Sequence, residues 1–175
     1  MPTSLLSRIL GAISGALRTT AQERAAPRPV DDSPGRSGVA ATVEVNASAV
    51  GSPRMTYSPV TDGDPDPGEI VWTWVPFEER DGRGKDRPVL IVAEAPGSGF
   101  LAVQLTSKPH DGHHGDFVSI GVGPWDAQGR ASWVNIDRVF LVQTAGMRRE
   151  AAALDAVRFT TVAAALRKRY GWRSA

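Results

Sequence analysis

Two short stretches carry residue types that handle a phosphate: "GKDRP", residues 84–88, and "VQLTSK", residues 103–108. Arg87 offers a planar fork of donors, Thr106 and Ser107 offer hydroxyls, and Lys85 and Lys108 add mobile point charges. Each stretch borders an apolar run, and the two runs are joined by the turn sequence "APGSGF". An antiparallel pair therefore brings Arg87, at the start of one strand, back beside Thr106 and Ser107 at the end of the next. A guanidinium beside a hydroxyl and flanked by ammonium groups suits an anionic phosphoryl group. A plainer reading stands next to it: Arg87 pairs with Asp86 or Asp111, and Thr106 is a strand residue favoured for its β-branch.

Other chemistries fit less well. The glycines and "GK" of "GRGKDRP" suggest a phosphate-binding loop, but that motif needs an earlier Gly where Glu79 stands, Ser or Thr where Asp86 stands, and a helix after it. Pro88 and the run Val89, Leu90, Ile91, Val92 specify a strand instead. His110, His113 and His114 cluster in "KPHDGHHGD", where Pro109, Gly112 and Gly115 make a loop, so an exposed polar loop is expected ahead of a zinc site. No nucleophile elbow is present, and no spacing singles out a hydrolase triad.

The elements that must position Arg87 and Thr106 lie late in the chain of 175 residues. Of the Phe, Trp and Tyr residues only Tyr57 precedes Gly68, so the expected folded domain is 68–175. There "EIVWTWV", "RPVLIVAEA", "FLAVQLTS", "DFVSIGV" and "SWVNIDRVFLVQ" read as close-set strands. "LDAVRFTTVAAALRKRYGW" reads as a helix, capped by Asp155, stopped at Gly171, and apolar along Phe159, Val162, Ala163, Leu166 and Tyr170. The expected fold is mainly β, a small antiparallel barrel closed by one C-terminal helix.

Residues 1–20 place Leu5, Leu6, Ile9, Leu10, Ile13 and Leu17 at helical spacing. This amphipathic helix either rests weakly on a membrane surface or a protein partner, or is an incidental extension. Arg8 and Gly11 interrupt it in a way a signal peptide would not. Residues 21–67, rich in Pro, Gly, Ser, Asp and Ala, read as a disordered linker with one short alternating piece, "ATVEVNASAV". The chain has no cysteine, which excludes disulfides and thiolate metal sites and points to the cytoplasm. Net charge is only +1, so any nucleic-acid affinity must come from a local patch.

The ordered series "GEIVWTWVPFEERDGRGKDRPVLIVAE", "VQLTSK", "WVNIDRVFLVQ" and the terminal helix resembles the MazF/PemK toxins of toxin–antitoxin pairs, from Gly68 to about Trp172. The resemblance implies an SH3-like barrel that forms a homodimer and binds an antitoxin protein. It also implies an endoribonuclease that needs neither metal nor cofactor and cuts single-stranded RNA such as mRNA. Arg87 and Thr106 map onto the family's catalytic pair, with Ser107 adjacent. Some members carry a Glu about five residues before the Arg. Gly82 stands there, and Asp81 is the nearest acid, with Glu78 and Glu79 close by. RNA would then lie along Lys85 and Lys108. Trp74 and Phe77 would stack on bases, or, as alternating strand aromatics often do, fill the core.

The resemblance also admits a different class. CcdB relatives of the same barrel poison DNA gyrase by binding through the C-terminal helix, and Trp172 is a faint echo of that. A degenerate barrel that only binds protein is a third. The pairing of Arg87 with Thr106 favours the nuclease, since a gyrase poison has no use for it.

Overall fold

The computed structural model describes residues 33–60, 62–108 and 115–174. Its order is β1 (Val43–Val45), β2 (Arg54–Met55), β3 (Glu69–Pro76), β4 (Gly84–Glu94), β5 (Phe100–Thr106), β6 (Phe117–Gly121), β7 (Ser132–Val142), β8 (Met147–Ala153), α1 (Ala156–Tyr170) and β9 (Arg173–Ser174). The expected helix over residues 1–20 and the three histidines lie outside the described residues.

A seven-stranded sheet runs β1-β7-β5-β4-β3-β8, with β6 also on β7, and every pairing in it is antiparallel. The expected mainly β fold with a C-terminal helix is present, on a sheet whose ends, β1 and β8, do not pair with each other. Its central strands are buried on both faces, which is why "VLIVA" in β4 is an unbroken apolar run and Val89 through Ala93 are fully enclosed. One face carries Val71, Val75, Val89, Ile91, Ala102, Phe140 and Val142. The other, with Ile70, Leu90, Leu101, Val103 and Ile136, packs in one core with Phe159, Val162 and Leu166 of α1.

The helix ends as its sequence specifies. Asp155 Oδ1 accepts a hydrogen bond from the Arg158 backbone N–H at 2.9 Å, meeting one of the orphan donors of the first turn. Gly171 takes the left-handed conformation at φ 73°, and Arg167, Lys168 and Arg169 fill the last turn against the negative end of the dipole.

The linker expectation for residues 21–67 needs correction over its described part. β1 pairs with β7 through Val43–Leu141, Glu44–Phe140 and Val45–Val139. β2 runs parallel to β9. Met55 is 1% exposed within the helix-side core, and the Trp172 indole N–H donates to the Ala47 carbonyl at 3.2 Å. The Tyr57 hydroxyl donates to the Leu154 carbonyl at 2.8 Å, and its ring lies 5.2 Å from that of Phe159. At the near end the Thr42 and Thr73 hydroxyls lie 2.7 Å apart, and Thr73 donates to the Gly146 carbonyl. Gly35, at φ +83°, sits so close that a Cβ there would meet Thr73 Oγ1 at 2.5 Å. Few but well-placed contacts suffice: one alternating tripeptide finds a free strand edge, and two apolar side chains find an open core margin.

Candidate functional site

β4 and β5 pair in the register Val89–Gln104, and continuing it by two residues sets Arg87 opposite Thr106. Both line a hollow of about 420 Å³, together with Phe77, Glu78, Gln104, Lys108, Asn135 and Arg138. The sheet builds it from the end of one inward row: in β4 the residues Arg87, Val89 and Ile91 alternate onto the same face, so the row that is apolar in the core ends in a cation. The Thr106 hydroxyl is anchored by the Lys108 backbone, donating to its carbonyl and accepting from its N–H, each at 3.1 Å.

Burial is the largest influence on Arg87 and pushes its pKa below the ordinary arginine value; the nearby charge of Arg138 pushes the same way, and Glu78 opposes them. Asp86 does not pair with Arg87 as the plainer reading had it: its Oδ2 binds Arg148 Nη2 at 3.1 Å. Among the described residues Arg87 has no ion pair. It is a half-buried cation facing a hollow, and a charge-assisted hydrogen bond from an anion would offset its desolvation.

The other expected site residues divide. Lys108 lines both the hollow and a second depression of about 650 Å³, which Lys85, Ser107, Trp72, Trp125 and Arg130 also line. Arg87 and Thr106 border both, so the two depressions meet at this pair. Phe77 lines the hollow, with the Arg83 guanidinium 5.8 Å from its ring centroid. Trp74 does not: it is 6% exposed, and its ring occupies the place where a Gly84 Cβ would stand, 2.4 Å from Cζ2. Gly84 thus serves the packing of Trp74, and of the two tryptophans in β3 it is Trp72 that faces a depression beside Arg87.

Asp81 is also outside the hollow's lining. Its carboxylate accepts from the Arg83 backbone N–H at 3.0 Å and binds Arg83 Nε at 2.5 Å, which hold its pKa below the usual range. Glu78 and Glu79 line the hollow in its place. Among the described residues no group of three or more His, Cys, Asp or Glu is placed to hold a metal ion.

Arg138 was not singled out by the sequence. It is 6% exposed in β7, its Nη2 donates to Glu44 Oε2 at 2.7 Å and to the Pro76 carbonyl at 2.9 Å, and its guanidinium lies 4.9 Å from the Phe140 ring centroid. The available signal was a charge in the middle of the apolar run "WVNIDRVFLV".

Together these features define a small β protein whose doubly buried sheet ends in a hollow lined by Arg87, Lys108 and Arg138 with Glu78 and Glu79. Residues 66–169 match the family described as PemK-like, MazF-like toxin of type II toxin–antitoxin systems, and the chain belongs to that family. A search of curated proteins finds no match. Among solved structures the chain is similar to MazE–MazF from Deinococcus radiodurans, at 22% identity and a TM-score of 0.43 over 63% of this chain and 98% of that one. Among the described residues no helix is long and apolar enough to cross a membrane.

Proposed function

We propose that this chain is the toxin of a toxin–antitoxin pair and acts as a metal-independent endoribonuclease on single-stranded RNA. The observation that supports this best is the convergence of Arg87, Thr106 and Glu78 on one hollow. Cleavage would begin with attack by the substrate's own 2′-hydroxyl on the adjacent phosphorus. That step needs a base for the hydroxyl proton, charge stabilisation for the phosphorane, and an acid for the departing 5′-oxygen.

Arg87 stabilises the phosphorane. Its lowered pKa, caused first by burial, also makes proton donation to the 5′-oxygen less uphill than from an ordinary arginine. Thr106 donates its hydroxyl hydrogen to a non-bridging oxygen, exchanging its bond to the Lys108 carbonyl for one to the ligand. Glu78 is the carboxylate we assign as base, because its charge acts on Arg87 while Asp81 is bound to Arg83. Lys108 holds the strand's backbone charge, and Phe77 offers a ring for a base to stack on. An antitoxin partner, a homodimer and cytoplasmic action belong to the same proposal.

The test is incubation of the purified protein with a long single-stranded RNA in excess EDTA. Fragments ending in a 2′,3′-cyclic phosphate and beginning with a 5′-hydroxyl are expected, with the all-deoxy strand left intact. Strict dependence on magnesium sinks the mechanism. Inhibition of gyrase without any RNA cleavage would favour the binding-only alternative.

A further inference from the structure

The segment that carries β1 lies outside the stretch matched to the family, yet it reaches Arg138, a residue that lines the hollow. Glu44, opposite Phe140 in the β1–β7 register, accepts from Arg138 Nη2 at 2.7 Å through Oε2. Its Oε1 lies 3.8 Å from Arg80 Nη2. Arg80 belongs to the turn between β3 and β4 and has a positive φ of 51°, which a residue with a side chain rarely adopts. One carboxylate therefore ties β1 to both the wall of the hollow and the loop above it.

Arg138 is nearly enclosed, but its fork is not fully used. Nη2 is committed to Glu44 and Pro76, while Nε makes no hydrogen bond. Gln104 Oε1, on the same hollow, also has no partner, but it is an acceptor and would meet a donor such as a ribose hydroxyl, not a phosphate oxygen. A buried donor left unmet is costly, and it is tolerated where a ligand meets it. Two guanidiniums, those of Arg87 and Arg138, border one hollow. Like charges so placed repel in the free protein and are relieved when an anion enters between them.

We propose that Arg138 is a second phosphate-binding arginine of this hollow, and that Glu44 of the N-terminal segment is the residue that positions it. The inference rests on the nuclease reading and deepens it. The ligand is a phosphodiester of the RNA strand, at or next to the scissile position, held by Arg87 on one side and Arg138 on the other. A family-type barrel thereby takes part of its substrate grip from residues added before it in the chain.

Three measurements test this: cleavage of a long single-stranded RNA, binding of the same sequence as a 2′-O-methyl strand that lacks the nucleophile, and thermal unfolding. Arg138→Gln should weaken binding and cleavage by about tenfold or more. It should also flatten the dependence of log Kd on log salt by about 0.7, the loss of one phosphate contact on a single strand. Glu44→Gln should raise KM more than it lowers kcat, and combined with Arg138→Gln it should add little, because it acts through that arginine. Arg138→Lys keeps the charge but not the fork and should recover the salt slope more than the rate.

If Arg138→Gln does not fold, Glu44→Gln and Arg138→Lys carry the test through the same readouts. Wild-type KM and wild-type cleavage rate in folded Glu44→Gln and Arg138→Lys, with only a lowered Tm, would overturn the proposal and leave the ion pair as an anchor for β1. Failure of the underlying nuclease reading looks different: the wild-type protein would leave RNA uncut, or Arg87→Ala would cut it as well as wild type.

Discussion

Met55→Ala separates an integral N-terminal segment from a linker. Met55 is 1% exposed and belongs to the core that also holds Ile70, Leu90 and Trp172. Truncating an enclosed Met to Ala removes its transfer free energy and leaves a cavity, a loss of about 2–5 kcal/mol. Because β2 is a two-residue strand that can partly collapse inward, a value of about 3 kcal/mol is the reasonable centre. In a domain of this size each kcal/mol lowers Tm by about 2–4 °C, so the expected fall is about 6–12 °C. The assay is thermal unfolding followed by circular dichroism, with Val60→Ala as the control, since Val60 is 52% exposed and its truncation should stay within about 0.5 kcal/mol. A Met55→Ala transition within about 2 °C of wild type would refute the reasoning. Residues 41–58 would then be a loose tether, whatever their pairing.

Arg87→Ala should reduce RNA cleavage by at least about a hundredfold without lowering Tm by more than a few degrees, measured by product formation on a long single-stranded RNA. Glu78→Gln should lower kcat by about a hundredfold while Asp81→Asn stays near wild type, and the reverse order would reinstate Asp81 as the base. Asp155→Ala should cost about 1 kcal/mol through loss of the cap to Arg158, seen as a fall in Tm. Burial raises the Glu69 pKa first; the Asp66 backbone N–H opposes this, and the charges of Asp66 and Asp62 add to it. A carboxyl whose folded value exceeds its unfolded value contributes stability that is full below the unfolded value and lost as pH rises through the folded one. Glu69→Gln should therefore gain Tm over wild type as pH goes from 4 to 7.

The strands around the hollow were legible because each is a short apolar run between glycines and charges, and two-sided burial made "VLIVA" unmistakable. Hairpin geometry brings Arg87 back to Thr106 and Ser107, but the register at the turn would set it opposite Ser107, and it is the shift between Ile91 and Ala93, which the sequence did not signal, that sets it opposite Thr106. β8 was not legible. "MRREAAA" has neither β-branching nor alternation, and it is a strand only because β3 offers it an edge, through pairs such as Trp72–Arg148. The pieces at residues 43–45 and 54–55 failed for a related reason: composition averaged over a Pro- and Gly-rich stretch hides a few residues that bury well. Trp74 and Trp72 share a strand and a residue type, so nothing in the pattern told the buried ring from the one that lines the depression beside Arg87. The deciding feature was Gly84 on the neighbouring strand, whose missing Cβ leaves room for the Trp74 ring.

The glycine-rich loop and its basic residues thus have separate causes. Gly82 turns the chain at φ +80°, Gly84 makes room for Trp74, and Arg83 holds Asp81. Of these only Arg83 lines the hollow, and together they fix where β4 starts and hence where Arg87 points. The same division applies to the N-terminal segment. Thr42, Ala47, Met55 and Tyr57 secure it to the sheet and helix, and that docking delivers Glu44 to the wall of the hollow. A carboxylate delivered by a flexible tether would pair with Arg138 only part of the time, because ordering a free backbone costs about 1–2 kcal/mol per residue. Docked on a strand edge, Glu44 incurs that cost once, during folding, so under the proposed function Arg138 would already be aimed when a strand of RNA arrives.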